Sequence, residues 1–237
     1  ILWLSGLAAV LALLVAGFLG RGISRPVVQL AEAAQRVQAG DYTQPIEVKG
    51  QDEIARLAAA FGHMQQGIAA REQHILHQAH HDGLTGLPNR SLAHQRLDAA
   101  LGEGRGAVLM VDLDRFKEIN DTLGHGFGDQ VLEEVGKRLR QAVRPEDVVA
   151  RLGGDEFMVL MHDVDGRQAE QRARGLLDQL RQPLLLPTTR INLDASLGLA
   201  LHPEHGRDAH TLLRRADIAL YDAKQLRSGI AVYREGR

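Results

Sequence analysis

Residues 148–161 read VVARLGGDEFMVLM, and the rest of the fold can be read outward from them. Two apolar runs, Val148–Leu152 and Phe157–Met161, flank Gly153-Gly154-Asp155-Glu156. A connection that short joins antiparallel neighbours, so the stretch reads as a β-hairpin with an acidic tip. Upstream, Ala107–Val111 is a short apolar run read as a buried strand, and Asp112 and Asp114 end it. Strand alternation puts residues two apart on one face. Helices are expected over Ser91–Leu101, from about Asp129 to Val143 after a break at Gly124–Gly128, and over Gln168–Arg181 and Ala209–Leu226. Ile191–Leu201 reads as a strand and Gly229–Val232 as a last short one. Strands and helices mixed in this way predict an α+β domain over residues 82–237, with helices packed on a mainly antiparallel sheet.

If the strand ending at Asp112 lies beside the hairpin, its acids meet Asp155 and Glu156. Gathering that many carboxylates is costly unless a cation neutralises them. Oxygen-only ligands favour Mg2+ or Mn2+, and Mg2+ shares its shell with substrate phosphates. Arg115-Phe116-Lys117 opens a helix directly after the acids, and unpaired N–H groups at a helix start receive phosphate. The spacing therefore suggests a metal–nucleotide site; the bland alternative is an ordinary Gly-Gly hairpin with acidic tips.

Composition narrows the field. The chain has 237 residues, 44% of them hydrophobic and 24% charged, which fits a folded protein and excludes a disordered one. The net charge of −2 and the 4% aromatic content give no basic field or stacking platform for nucleic acid. With no Cys, disulfide scaffolds and thiol nucleophiles are excluded.

Residues 1–20, ILWLSGLAAVLALLVAGFLG, carry no charge. As a helix they would span about 30 Å, a bilayer's hydrocarbon thickness. The chain does not begin with Met and no basic residue precedes the run, so it reads as a membrane span of a longer chain rather than a signal peptide. Arg21 and Arg25 follow, and by the positive-inside rule they place the remainder in the cytoplasm. Over residues 22–64, two amphipathic helices flank an extended connector at Pro45, Ile46 and Val48, and residues 65–81 continue as a polar helix. Narrow apolar stripes such as Ile54, Leu57, Ala58, Phe61 and Met64 need a second copy to pack against. His74, His77, His80 and His81 lack an acid on the same turn and read as solvated helix surface.

Pro26, Gly40-Asp41, and Asp52-Glu53 followed by Leu57, Phe61 and Met64 resemble a HAMP linker, placed at residues 21–73 with a coiled-coil stalk over 74–81. Four ordered segments beyond it resemble the GGDEF domains, the diguanylate cyclases: Asp82–Arg90 (DGLTGLPNR), Val111–Asp129 (VDLDRFKEINDTLGHGFGD), Arg151–Phe157 (RLGGDEF) and Ala216–Lys224 (ADIALYDAK). The resemblance implies a palm-like fold of the nucleotidyl cyclases and condensation of two GTP into cyclic di-GMP with release of two pyrophosphates. It implies a homodimer joined through HAMP, stalk and GGDEF domains, because each domain holds one GTP. Asp112, the Leu113 carbonyl and Asp155 would hold Mg2+ or Mn2+, and Glu156 would assist with metal or phosphate. Asp155 is the candidate base, metal activation alone being the alternative. The backbone at Phe116 and Lys117 would cradle phosphates beside Gly153 and Gly154, with Lys224 neutralising them. Asn120 and Asp129 would read the guanine edge, with His125 lining the same pocket. One departure is that the family's second cationic phosphate contact is an Arg four residues past the Lys; here Arg227 arrives one position early and Ser228 takes the expected place.

Arg144-Pro145-Glu146-Asp147 stands five residues before the glycines and resembles the family's Arg-x-x-Asp inhibitory site for the product cyclic di-GMP. The competing readings are a surface ion pair there and, for the whole chain, a catalytically weak GGDEF module that binds GTP or cyclic di-GMP as a relay. A C-terminal phosphodiesterase domain in a longer protein is a third expectation.

Overall fold

The computed structural model describes residues 10, 11, 13, 14, 25–45, 53–102, 104–186 and 189–236. The membrane-span expectation for residues 1–20 thus lies almost wholly outside the described residues, as does most of the connector after Pro45. Among the described residues no helix is long and apolar enough to cross a membrane. Contacts divide the chain into two units, residues 1–76 and 77–237.

The first unit contains α1 (Arg25–Gln38) and most of α2 (Glu53–His80). Gly40, at φ +83, ends the turn after α1, a conformation that favours glycine. Ala33 and Ala58 are buried. Gln65 is buried too, and its amide donates to the carbonyls of Tyr42 (3.0 Å) and Gln44 (3.1 Å). The second helix and the polar helix after it are one continuous element, since no Gly or Pro at a breaking position separates them.

The second unit holds a five-stranded sheet in the order β2-β3-β1-β6-β7. Its strands are β1 (Gly106–Leu113), β2 (Val148–Gly153), β3 (Glu156–His162), β6 (Ala195–His202) and β7 (Ile230–Val232). Every pairing is antiparallel except β6 with β7. A separate small pair joins β4 (Leu184–Leu185) to β5 (Arg190–Ile191). The strand expected over Ile191–Leu201 is therefore two strands. The Asp194 carboxylate accepts its neighbour Ala195 N–H (2.9 Å) and makes a corner there.

Helices cover both faces of the sheet. Val108, Met110, Met158 and Leu160 face α3 (Arg90–Ala100) and α7 (Ala209–Leu226) through Ala93, Leu97, Leu212 and Leu220. Leu109, Val111, Phe157 and Val159 face the other way, onto α5 (His125–Ala142) and α6 (Gly166–Arg181) through Val131, Val135, Ala173 and Leu177. Between them, α4 (Phe116–Leu123) follows β1. α5 begins at His125 rather than Asp129, because Gly124 alone makes the break (φ +88) and Gly126 and Gly128 are helical. Gly198 sets the seat of α7: a Cβ there would overlap the Ala216 carbonyl and the Leu220 N–H. The helix thus lies directly on the β6 backbone, one turn before Lys224.

Candidate functional site

The carboxyl ends of β1 and α7, the tip of the β2–β3 hairpin and the start of α4 surround a cleft of about 680 Å³. Asp112 stands opposite Glu156 on one side and Ser196 on the other. The Leu113 N–H donates to the Asp155 carbonyl (3.4 Å), which holds the hairpin tip against the end of β1. Gly153 (φ +142) and Gly154 (φ +53) make that bend possible. Asp112, Asp114 and Asp155 all line the cleft. Burial pushes the Asp112 carboxyl above its ordinary value. The Lys224 ammonium, 2.8 Å from Oδ2, pulls it back, and the charges of Asp155 and Asp114 push it further up. The Ser196 hydroxyl donates to Asp114 (2.9 Å).

This donor set suits a hard divalent cation. Among the described residues no three acid or His side chains already surround one point. Mg2+, however, takes one or two carboxylates and completes its shell with phosphates and water. Asp112, Asp155 and the Leu113 carbonyl supply that number, and the crowding of like charge on Asp112 is what a cation relieves. Beside them, Arg115 adopts a left-handed conformation (φ +58) and α4 starts with no side-chain cap. The first N–H groups of α4, at Phe116 and Lys117, lie at the cleft wall, where an uncapped helix start attracts anions.

The expected guanine reader lies on the far side of Phe116. The Asn120 side-chain oxygen is buried without a hydrogen-bond partner. It packs on Gly128, where a Cβ would overlap it and would also lie 3.1 Å from the Phe116 ring. Asp129 follows Gly128 and His125 begins α5; both are exposed, and neither lines the main cleft. Glu156 does not line it either. It shares the face of Asp112, but its carboxylate stands 3.5 Å from the Arg90 guanidinium.

The profile described as "Diguanylate cyclase, GGDEF domain" matches residues 79–229. The chain belongs to the GGDEF family. A HAMP domain profile matches residues 18–70. Diguanylate cyclase TpbB of Pseudomonas aeruginosa is 38% identical over 224 residues, covering 88% of this chain and 52% of TpbB. The bifunctional diguanylate cyclase/cyclic di-GMP phosphodiesterase MucR of that organism is 39% identical over 185 residues, 76% of this chain and 27% of MucR. This chain therefore spans about half of TpbB and less of MucR. Among solved structures, the GGDEF domain of TpbB gives a TM-score of 0.62 at 40% identity, covering 63% of this chain and 98% of that one. The coiled coil and GGDEF domain of DgcB from Caulobacter crescentus, solved in complex with c-di-GMP, gives 0.66 at 29% identity, covering 77% and 99%.

Within the GGDEF domain the first signature segment braces the hairpin. Arg151 donates to both Asp82 oxygens (2.9 and 3.1 Å) and to the Gly154 carbonyl (3.1 and 2.8 Å). Burial alone would raise the Asp82 carboxyl, but bonds from the Thr85 hydroxyl and N–H and from Arg151 outweigh it and hold the group below its ordinary value. The Arg144–Asp147 turn has another character. Asp147 is buried, and its carboxylate accepts from the Arg144 N–H (3.0 Å), the His162 N–H (3.1 Å) and the Arg172 guanidinium. The Arg144 side chain is half exposed, 3.9 Å from Glu146.

Sequence reasoning missed Arg181, Asp194 and Gly229 as cleft residues. Their segments carry no motif, and only tertiary packing brings them there. Arg227 reaches the cleft despite its early position.

Proposed function

We propose that this chain is a diguanylate cyclase that joins two GTP into cyclic di-GMP, working as a homodimer tethered to a bacterial inner membrane and governed through its HAMP unit. The observation that carries the reading is the convergence of Asp112, Asp155 and Lys224 on one cleft whose wall is the uncapped start of α4.

The chemistry asks little covalent work of the protein. The 3′-hydroxyl oxygen of one GTP attacks the α-phosphorus of the other, the new O–P bond forms, and the bond to pyrophosphate breaks. Repeating the step in the other direction closes the ring and releases the second pyrophosphate. A single domain holds half the reactants, so two domains must face each other. Asp155 would take the hydroxyl proton, unless metal activation alone suffices; Lys224 and Lys117 would balance phosphate charge, and the N–H groups of Phe116 and Lys117 would orient the tail. Asp112, Asp155 and the Leu113 carbonyl would hold Mg2+ or Mn2+, which would supply Lewis-acid stabilisation of phosphate charge. To assist there, Glu156 must leave Arg90, a 3.5 Å contact at an exposed guanidinium. Asn120 and Asp129 read guanine from the Gly128 side: a carboxylate accepts from the N1–H and amino group of guanine, and adenine offers no such pair of donors. His125 closes that pocket.

Support for the dimer comes from α2. Leu57, Met64, Ile68 and Ile75 are exposed and, with Phe61, follow coiled-coil spacing. A second copy would cover them. The uncharged run at 1–20 and the arginines after it support the tether. The half-exposed Arg144 would grip product, guanine and phosphate alike, on a turn that Asp147 holds rigid. Arg144→Ala should then relieve inhibition by cyclic di-GMP, and undiminished inhibition would remove that site from the reading.

The deciding assay incubates the chain with GTP and Mg2+ and follows cyclic di-GMP and pyrophosphate, with Asp155→Ala beside it. Product from the parent and none from the variant supports the cyclase. Nucleotide binding without turnover by the parent favours the relay reading.

A further inference from the structure

The cleft floor is acidic, and a nucleoside triphosphate brings about four more negative charges. Lys224 is already engaged with Asp112, Ser228 supplies no cation, and Lys117 and Arg227 line the cleft from α4 and the end of α7. A further cation arrives from another element. Arg181, the last residue of α6, lines the cleft, and its Nε donates to Asp194 Oδ1 (2.9 Å). Asp194 is itself pinned at the cleft edge. Its carboxylate accepts the Ala195 N–H, and its carbonyl accepts the Asp114 N–H (2.9 Å). The guanidinium passes Gly229, which is at φ +75. A Cβ there would lie 3.1 Å from Arg181 Nη2 and 2.8 Å from Leu177 Cδ2, so the glycine keeps a lane open for the guanidinium.

We infer that Arg181 is a phosphate-binding residue of this cleft, gripping the polyphosphate tail of the nucleotide with its two Nη groups. A guanidinium has five N–H donors in a fixed fork. Asp194 takes the Nε–H and fixes the plane, and the Nη pair matches two phosphate oxygens. The assignment rests on the nucleotide reading proposed above.

The test uses the full chain with Mg2+: steady-state GTP kinetics, and displacement of a fluorescent guanine nucleotide by GTP and by GMP. Arg181→Ala is expected to raise the GTP KM about tenfold, about 1.4 kcal/mol, with a smaller change in kcat. GMP displacement stays at the parent value, because GMP has no tail to grip. Arg181→Lys recovers part of the GTP affinity through its charge alone. A parent-like KM in Arg181→Ala, or equal weakening of GTP and GMP, overturns the assignment and leaves Arg181 as an ion-pair partner of Asp194. If the parent chain neither binds nor turns over GTP, the nucleotide reading and this inference both fall; an active parent with an unaffected variant sinks this inference alone.

Discussion

Asp112 and Asp147 are both aspartates withdrawn from solvent, at opposite ends of the domain's chemistry. Asp147 meets three donors, two backbone N–H groups and a guanidinium. Asp112 has one cation and two like-charged neighbours, Asp155 and Asp114. The first carboxylate is satisfied by the fold and holds a turn. The second is left with like charge crowding its one cation, and that crowding is what the proposed cation would relieve. Burial alone does not separate them; the sign of what surrounds each does.

The sharpest way to break this contrast is at the cleft. Asp155→Ala is expected to lower cyclic di-GMP formation by about a thousandfold, on the scale of losing a principal electrostatic group, while the unfolding midpoint holds or rises because one like charge is gone. A large loss of stability would mean that Asp155 is structural. At the turn the pattern reverses: Asp147→Ala should cost about 3–5 kcal/mol in denaturant unfolding, since it strands Arg172 in a buried setting. Arg144→Ala should unfold like the parent.

A smaller effect tests how the cleft is assembled. Gly198→Ala should cost about 1–3 kcal/mol, the range for forcing atoms into a packed core, and should lower turnover as well, because lifting α7 from β6 draws Lys224 away from Asp112. Full activity in a destabilised Gly198→Ala would show that the seat of α7 does not set that distance.

The smallest effect separates two carboxylates by pH. Asp82 lies below 3.8 in the folded chain, so its stabilisation is complete above 3.8 and is lost as pH falls through its lowered value. Asp112 lies above 3.8, so its contribution declines as pH rises from 3.8 through its raised value. In acid titrations of stability, Asp82→Asn should flatten the fall below 3.8, and Asp112→Asn should remove a decline above it. Identical profiles for the two variants would contradict the opposite environments.

The hairpin and Asp112 are legible because their chemistry sits in short segments whose spacing carries the geometry, whereas Lys224 comes only from the family resemblance. The continuous strand expected over Ile191–Leu201 failed at Asp194, where a side chain competes with the ladder for a backbone N–H, and apolar alternation does not register such competition. The late helix start at Asp129 failed because Gly128 reads as a breaker in isolation; its reason is the Asn120 side chain packed where a Cβ would stand. Gln65, Gly198, Gly229 and Arg181 act across long stretches of chain, so no local window exposes them. The glycines at the hairpin tip are expected, from the resemblance, to lie beside the phosphates. The structure adds a conformational need, since both have positive φ.

Arg151 carries a last consequence. One guanidinium clasps Asp82, two residues past the end of α2, and the carbonyl of Gly154 in the hairpin bend. The threshold of the domain and the tip of its hairpin are thereby riveted together by a single side chain, so neither can shift without straining the other's hydrogen bonds.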